Sequence, residues 1–427
     1  MNVRKLLSNL LFCIFFIEPC FAEQAPESDA WQNVSLYGYI ANYTAAVLNS
    51  DAENEEDNAT FGNALHLRHK GDWQPEETLK FHLELSYFYR SGNQNAFVQS
   101  ESLGTSNIDQ NAEPQEDFTQ EFLLDHAWGL VNIGQFDLQF GKLPVAWGPG
   151  YKFNPTNRLN AENPLEEVNE ETPGFVGCLG SYSLPHDLAV IAYLSFSDKS
   201  RKKQAILEDL ELDSYPFGLK LQSYVKGYDL AFSFIKEVLY TGETFEKTYY
   251  AGGDFVGMIG DWIGIYGEGT LRLPWDGSKF DFSDYTIEEN LDLVLGLEYI
   301  FDSGMELKAE YFHQGTGASR KTDYAINDLL LDRRSVLAED YLVAFIEEPF
   351  WDFYKVTIGG IMNLNDRSYA VSAELEYDLK NNFQIMAGLN WLAGSGSSEF
   401  NGEFRLPTDE VKDLSDPLIY VKLKLSF

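Results

Sequence analysis

Across most of this chain apolar and polar residues alternate one for one, and the alternation recurs in segment after segment. In LKFHLELSYFY, Leu79, Phe81, Leu83, Leu85, Tyr87 and Tyr89 fall on one face of an extended strand, opposite Lys80, His82, Glu84, Ser86 and Phe88. NLDLVLGLEY sets Leu291, Leu293, Leu295, Leu297 and Tyr299 against Asp292, Val294, Gly296 and Glu298. MELKAEY, SYAVSAELEY and FQIMAGLNW repeat the scheme, as does the last segment, IYVKLKLSF, with Ile419, Val421, Leu423, Leu425 and Phe427 on one side. Helical periodicity is scarce, and no apolar run beyond residue 22 approaches the roughly 20 residues of a membrane-spanning helix.

The pattern predicts eighteen strands, beginning near Ser35, Asn63, Leu79, Phe122, Phe136, Gly174, Asp187, Phe217, Tyr228, Lys247, Trp262, Leu291, Met305, Asp340, Tyr354, Ser368, Phe383 and Pro417. Short links such as NIGQ, VKGYD and FDSG alternate with long polar ones, so the two kinds occupy opposite ends of the strands; NLNDR, near residues 363 to 367, is the exception. A soluble sandwich tolerates such alternation, but a sheet that crosses lipid requires it. There every backbone polar group must be paired within the protein, and one face of every strand must be apolar. The fold expected is all-β, a transmembrane antiparallel up-and-down β-barrel of about 18 strands, within a range of about 14 to 18.

Residues 1–22 read as a secretory signal, with Arg4 and Lys5 before an apolar run from Leu6 to Ile17 and a small-residue site ending at Ala22, leaving residues 23–427 as one barrel domain. Its removal takes Cys13 and Cys20 and makes the formal charge of -36 one unit more negative. Cys178 is then alone, so no internal disulfide forms and a small apolar residue is its simplest reading. Such acidity excludes nucleic acid as a partner, while 44% hydrophobic and 15% aromatic residues exclude a disordered chain.

Catalytic signatures are missing: no phosphate-binding G-x-x-x-x-G-K-[ST], no H-E-x-x-H, no G-x-S-x-G and no C-x-x-C. His66, His69, His82, His126, His186 and His313 are scattered, so polar lining is expected of them and no metal ligand or cofactor is assigned. The acidic runs DAENEED and NPLEEVNEE lack the spaced ligands and turn glycine of a calcium loop and read as solvated loops.

The closing segment resembles the C-terminal signature of Gram-negative outer-membrane barrels, an alternating last strand ending on phenylalanine, here Phe427. That resemblance implies recognition by the barrel assembly machinery, residence among outer-membrane lipid and lipopolysaccharide, and both termini in the periplasm. FGKLPVAWGPGYKFNPTNRLN, residues 140 to 160, is similar to a G-[KRQ]-x-x-x-x-W-G-x-x-x-x-x-N-P segment of several porin-like families and, more distantly, of alginate-export porins. Its glycines and prolines cannot stay in regular sheet, so it reads either as a rigid surface loop or as one turned into the lumen. In the second case Lys142, Trp147 and Arg158 set the constriction, the two cations opposite carboxylates such as Glu298 and Glu374.

With the apolar face on lipid, the alternate residues line the lumen, among them Arg68, Lys80, Glu84, Lys220, Arg272, Glu298, Lys308, Glu374, Lys422 and Lys424. The function expected is a porin-like channel for passive diffusion of small hydrophilic solutes or ions, without a cofactor. A surface polysaccharide-binding or polysaccharide-export barrel is the alternative, and an outer-membrane barrel enzyme stands behind both.

Overall fold

The computed structural model describes residues 33–48, 59–92, 118–145, 147–159, 174–196, 215–240, 245–326, 328, 334–351, 353–379, 382–401, 403–405, 411–413 and 416–427. Residues 1–22, expected to be a secretory signal, and both acidic runs lie outside them. The strands are β1 (Val34–Leu48), β2 (Ala59–Glu76), β3 (Leu79–Gly92), β4 (Phe118–Ile133), β5 (Phe136–Leu143), β6 (Phe175–Leu184) and β7 (Leu188–Ser195). Next come β8 (Phe217–Val225), β9 (Tyr228–Tyr240), β10 (Phe245–Ile259), β11 (Ile263–Leu273), β12 (Leu291–Ile300), β13 (Glu306–Gln314) and β14 (Asp340–Phe350). The chain finishes with β15 (Tyr354–Asn363), β16 (Tyr369–Leu379), β17 (Phe383–Ala393), β18 (Glu403–Arg405), β19 (Val411–Asp413) and β20 (Leu418–Ser426).

The short strands β18 and β19 pair with each other, and the remaining strands form one 18-stranded sheet. Each pairs antiparallel with its neighbour in sequence, β17 passes to β20, and β20 pairs with β1, which closes the barrel. The seam continues past the last strand: Phe427 N–H donates to Gly38 O at 3.0 Å and Gly38 N–H returns the bond to Phe427 O at 2.9 Å. Closure leaves no edge, so the backbone is satisfied within the sheet, as lipid requires.

Every strand predicted from alternation has its counterpart, with Asn63 and Phe122 each lying four residues inside the observed start. Two of the tight turns place two residues in left-handed backbone, His186 and Asp187 (φ 68° and 55°) between β6 and β7 and Lys226 and Gly227 (φ 52° and 90°) between β8 and β9; such turns match the right-handed twist of the flanking strands. On the long-loop side a second short connection, residues 241–244 between β9 and β10, joins the one after β15. Outward residues form an apolar belt, with Phe232 72% and Leu295 48% exposed on the isolated chain.

The packed core lies inside the barrel. Val294, Phe312, Tyr341, Val343, Ile361, Ala370 and Leu392, from β12 to β17, are buried together with Phe153, Val336, Ala338 and Phe400 from three connections. Loops therefore fold inward over one part of the wall.

Candidate functional site

The segment that leaves β5 runs inside the barrel, where Trp147, Phe153 and Leu159 are buried. It crosses from its own strand to the far wall, and two carboxylates hold it there. Glu268 on β11 accepts Gly150 N–H at 3.1 Å, Thr156 N–H at 3.3 Å and the Thr156 hydroxyl at 2.5 Å. Glu310 on β13, 1% exposed, accepts the amides of Tyr151, Lys152 and Phe153 at 2.7, 3.2 and 3.0 Å and the Tyr266 hydroxyl at 3.0 Å. A buried carboxylate tolerates its desolvation only when donors converge on it, and consecutive loop amides provide them. Gly148 permits the approach: it has φ +84°, and a Cβ there would run into the Glu268 carboxylate and the Thr156 hydroxyl.

Apolar contacts complete the docking. The Phe153 ring stacks on Phe312 at 4.2 Å with an interplanar angle of 14°, and Tyr151 meets Phe345 edge-on at 5.5 Å. Trp147 is buried against Tyr193 of β7, centroids 4.8 Å apart, with the Lys220 ammonium 6.0 Å from its ring. The register of Lys220, ion-paired to Asp254 at 2.9 Å, puts both on the inward face.

The structure separates the two cations assigned to a constriction. Arg158 is inside, but its guanidinium is paired with Asp292, donates to Thr270 at 2.9 Å and lies 4.2 Å over the Tyr250 ring. It braces the loop, and its partner is Asp292 in place of Glu298 or Glu374. Lys142 is a correction. It pairs with Ala127 and Val176 and shares a face with Phe140, 46% exposed, while its neighbours Gly141 and Leu143 point inward. Its Nζ donates to Leu124 O at 2.5 Å on the outer side of the wall. The physical reason is parity: Leu143 is buried in the internal core with Trp147, so Lys142 takes the other face.

The ten lining candidates, Arg68, Lys80, Glu84, Lys220, Arg272, Glu298, Lys308, Glu374, Lys422 and Lys424, all stand on the inward side of the register. They do not converge on one point. Arg68 and Glu84 pair at 2.5 Å, Lys80 and Asp72 at 2.9 Å, and Lys308 pairs with Glu306. Glu374 accepts the Tyr420 hydroxyl at 2.6 Å, and Lys424 lies 4.7 Å over Tyr39.

Two further loops cap the core from the long-loop side. Glu399 accepts Leu337 N–H at 2.7 Å, the Tyr341 hydroxyl at 2.5 Å and Asn363 Nδ2 at 2.7 Å. Burial pushes its carboxyl up to about 7. Alternation places Glu268 and Glu310 inward, but their anchoring role, and Glu399 altogether, were not read from the sequence, although Val294, Phe312, Val343 and Ile361 carry a usable signal: apolar residues in inward slots announce a cover.

No family model matches the chain. Over 99 residues it is 30% identical to ectonucleoside triphosphate diphosphohydrolase 3 of Homo sapiens, which takes in 23% of this chain and 17% of that protein, so the chain spans less than a fifth of that relative's length. Among solved structures it is similar to Wzi of Escherichia coli, an outer-membrane protein involved in group 1 capsule assembly and described as a carbohydrate-binding β-barrel. That likeness has a TM-score of 0.53 at 12% identity, over 92% of this chain and 85% of Wzi. A mutant of the Rhodopseudomonas blastica porin gives a TM-score of 0.42 at 10% identity, over 92% of this chain and 100% of the porin. At such identities the likeness is one of fold, that of an outer-membrane β-barrel.

Proposed function

We propose that the chain is a loop-narrowed channel of the Gram-negative outer membrane, with both termini periplasmic, that passes small hydrophilic solutes or ions by passive diffusion. The observation that carries this reading is the inward docking of residues 144–159 on Glu268 and Glu310, which covers part of the wall, and the solute lane we assign is the charged stretch of the inner face elsewhere. The lane runs along β20, β1, β2 and β3, where Lys422, Lys424, Arg68, Lys70, Lys80 and Glu84 stand on the inner face. Trp147 and Arg158 serve the constriction by fixing the loop. Selectivity belongs to the charges along the lane, because a low effective dielectric in a narrow passage makes nearby charges count for more than the acidic loops, which salt screens within about 8 Å.

Planar-bilayer recording tests this. Purified protein should form stable channels, and Lys422→Glu with Lys424→Glu should move the reversal potential toward cation selectivity. A barrel that inserts without conductance, or a reversal potential indifferent to that double change, would refute the reading.

A second reading, a carbohydrate-binding barrel, draws on the likeness of fold to Wzi, itself described as a carbohydrate-binding β-barrel. Retention of the protein on a glycan column together with absent conductance would favour it.

A further inference from the structure

Histidines far apart in the sequence meet on the inner wall. His82 on β3 and His126 on β4 flank Glu84, and ligand atoms of the three lie within 4.8 Å of one another. His82 Nε2 is 2.8 Å from Glu84 Oε1, and His126 Nδ1 is 3.3 Å from Glu84 Oε2. Glu84 and His126 are direct cross-strand partners, and the ladder slips immediately afterwards, with Asp125 bulged between His126 and Leu124. The Trp128 ring stacks on His82 at 4.9 Å and 22°, which restricts the imidazole to one orientation.

A second shell supports the first. His82 Nδ1 lies 2.9 Å from Asp72 Oδ1, and Asp72 is itself held by Lys80 Nζ at 2.9 Å and the Tyr37 hydroxyl at 3.0 Å. With a carboxylate on one ring nitrogen, the other is directed at Glu84, 2.8 Å away, and an arriving ion takes the place of that direct contact. Outer carboxylates fix the tautomer and basicity of metal-binding imidazoles in this way.

We infer that His82, Glu84 and His126 form a binding site for a divalent cation of the zinc class in the inner wall of the barrel. Two imidazoles and one carboxylate are a donor set for zinc, leaving a fourth position open to water or solute. Calcium and magnesium, which take oxygen ligands almost exclusively, are poorly served by it. Arg68 Nη2 at 2.5 Å and Lys70 Nζ at 3.4 Å also contact Glu84, so an arriving ion competes with resident cations for the carboxylate. Binding is therefore weaker than at a closed structural site and reversible.

The test uses full-length protein in detergent, stripped with a chelator and titrated with zinc chloride by calorimetry. One equivalent per chain should bind, with no comparable signal from calcium. His82→Ala and His126→Ala should each weaken binding at least about tenfold, and Asp72→Asn, which touches no metal, by about 10–100-fold. Heat-modifiable migration confirms that each variant remains a closed barrel. Absence of a saturable zinc equivalent in the wild-type protein overturns the inference, as does binding that survives both histidine substitutions. Because the readout is binding, it stands apart from whether the barrel conducts.

Discussion

Glu310→Ala removes the group on which the inward loop turns. The carboxylate accepts three consecutive loop amides and the Tyr266 hydroxyl. Hydrogen bonds to a charged group contribute about 1.5–3 kcal/mol each, and bonds sharing one acceptor do not add fully. Counting two of the four as lost gives roughly 3–6 kcal/mol against docking. At a factor of ten for each 1.4 kcal/mol, the undocked fraction rises on the order of 10²- to 10⁴-fold. The Phe153–Phe312 stack and the Glu268 anchor remain, so the single variant should flicker between docked and released forms, and Glu268→Ala with Glu310→Ala should release the loop outright. Strand pairing does not involve residues 144–159, so the barrel itself should persist. Two assays apply: single-channel recording, where larger and noisier steps are expected, and limited proteolysis within 144–159, where cleavage should appear. A double variant that remains a closed barrel yet shows wild-type conductance and wild-type protease resistance would refute the assignment of these carboxylates as the loop's anchors.

The face assignment predicts that Leu295→Arg, on the outer belt, costs about 2–4 kcal/mol of barrel stability, while Gln384→Arg, inward beside Glu376 and Asp378, costs little; denaturant titration in micelles measures both. Deleting Phe427 removes both backbone bonds to Gly38 at the seam, and surface labelling of cells should show slower assembly. Burial raises the Glu399 carboxyl to about 7, so the docked loop binds a proton more tightly than the released one and its docking weakens as pH rises from about 4.5 to about 7, by roughly 3 kcal/mol in all. A fluorophore on Gly396→Cys in a Cys178→Ser background should report that loss, and Glu399→Gln should flatten it.

The barrel was legible because lipid imposes a two-residue period on every strand, and that period survives whatever each strand packs against inside. Strand starts and the inward placement of Arg68, Glu84 and Lys424 follow from it alone. Lys142 was misplaced by the same rule wrongly counted: Phe136, Leu138 and Phe140 share its parity and belong to the lipid side. What alternation does not carry is which residues of distant strands meet in the interior. Gly150 reaches Glu268 across 118 residues, and Tyr151 reaches Glu310 across 159. His82 and His126 come together only because β3 and β4 are neighbours and a bulge sets their register. The inner face is nevertheless not silent. Polar residues there are compatible with water, whereas Val294, Phe312, Val343 and Ile361 gain nothing from facing an open lumen. Such residues mark where the wall is covered, and the cluster they form lies where the three loops dock. The interruptions of the pattern thus locate the covered wall, and by the same rule Ala45, Val47, Leu418 and Tyr420 mark a smaller packed patch on β1 and β20, beside the charged stretch of Lys422, Lys424, Arg68 and Glu84.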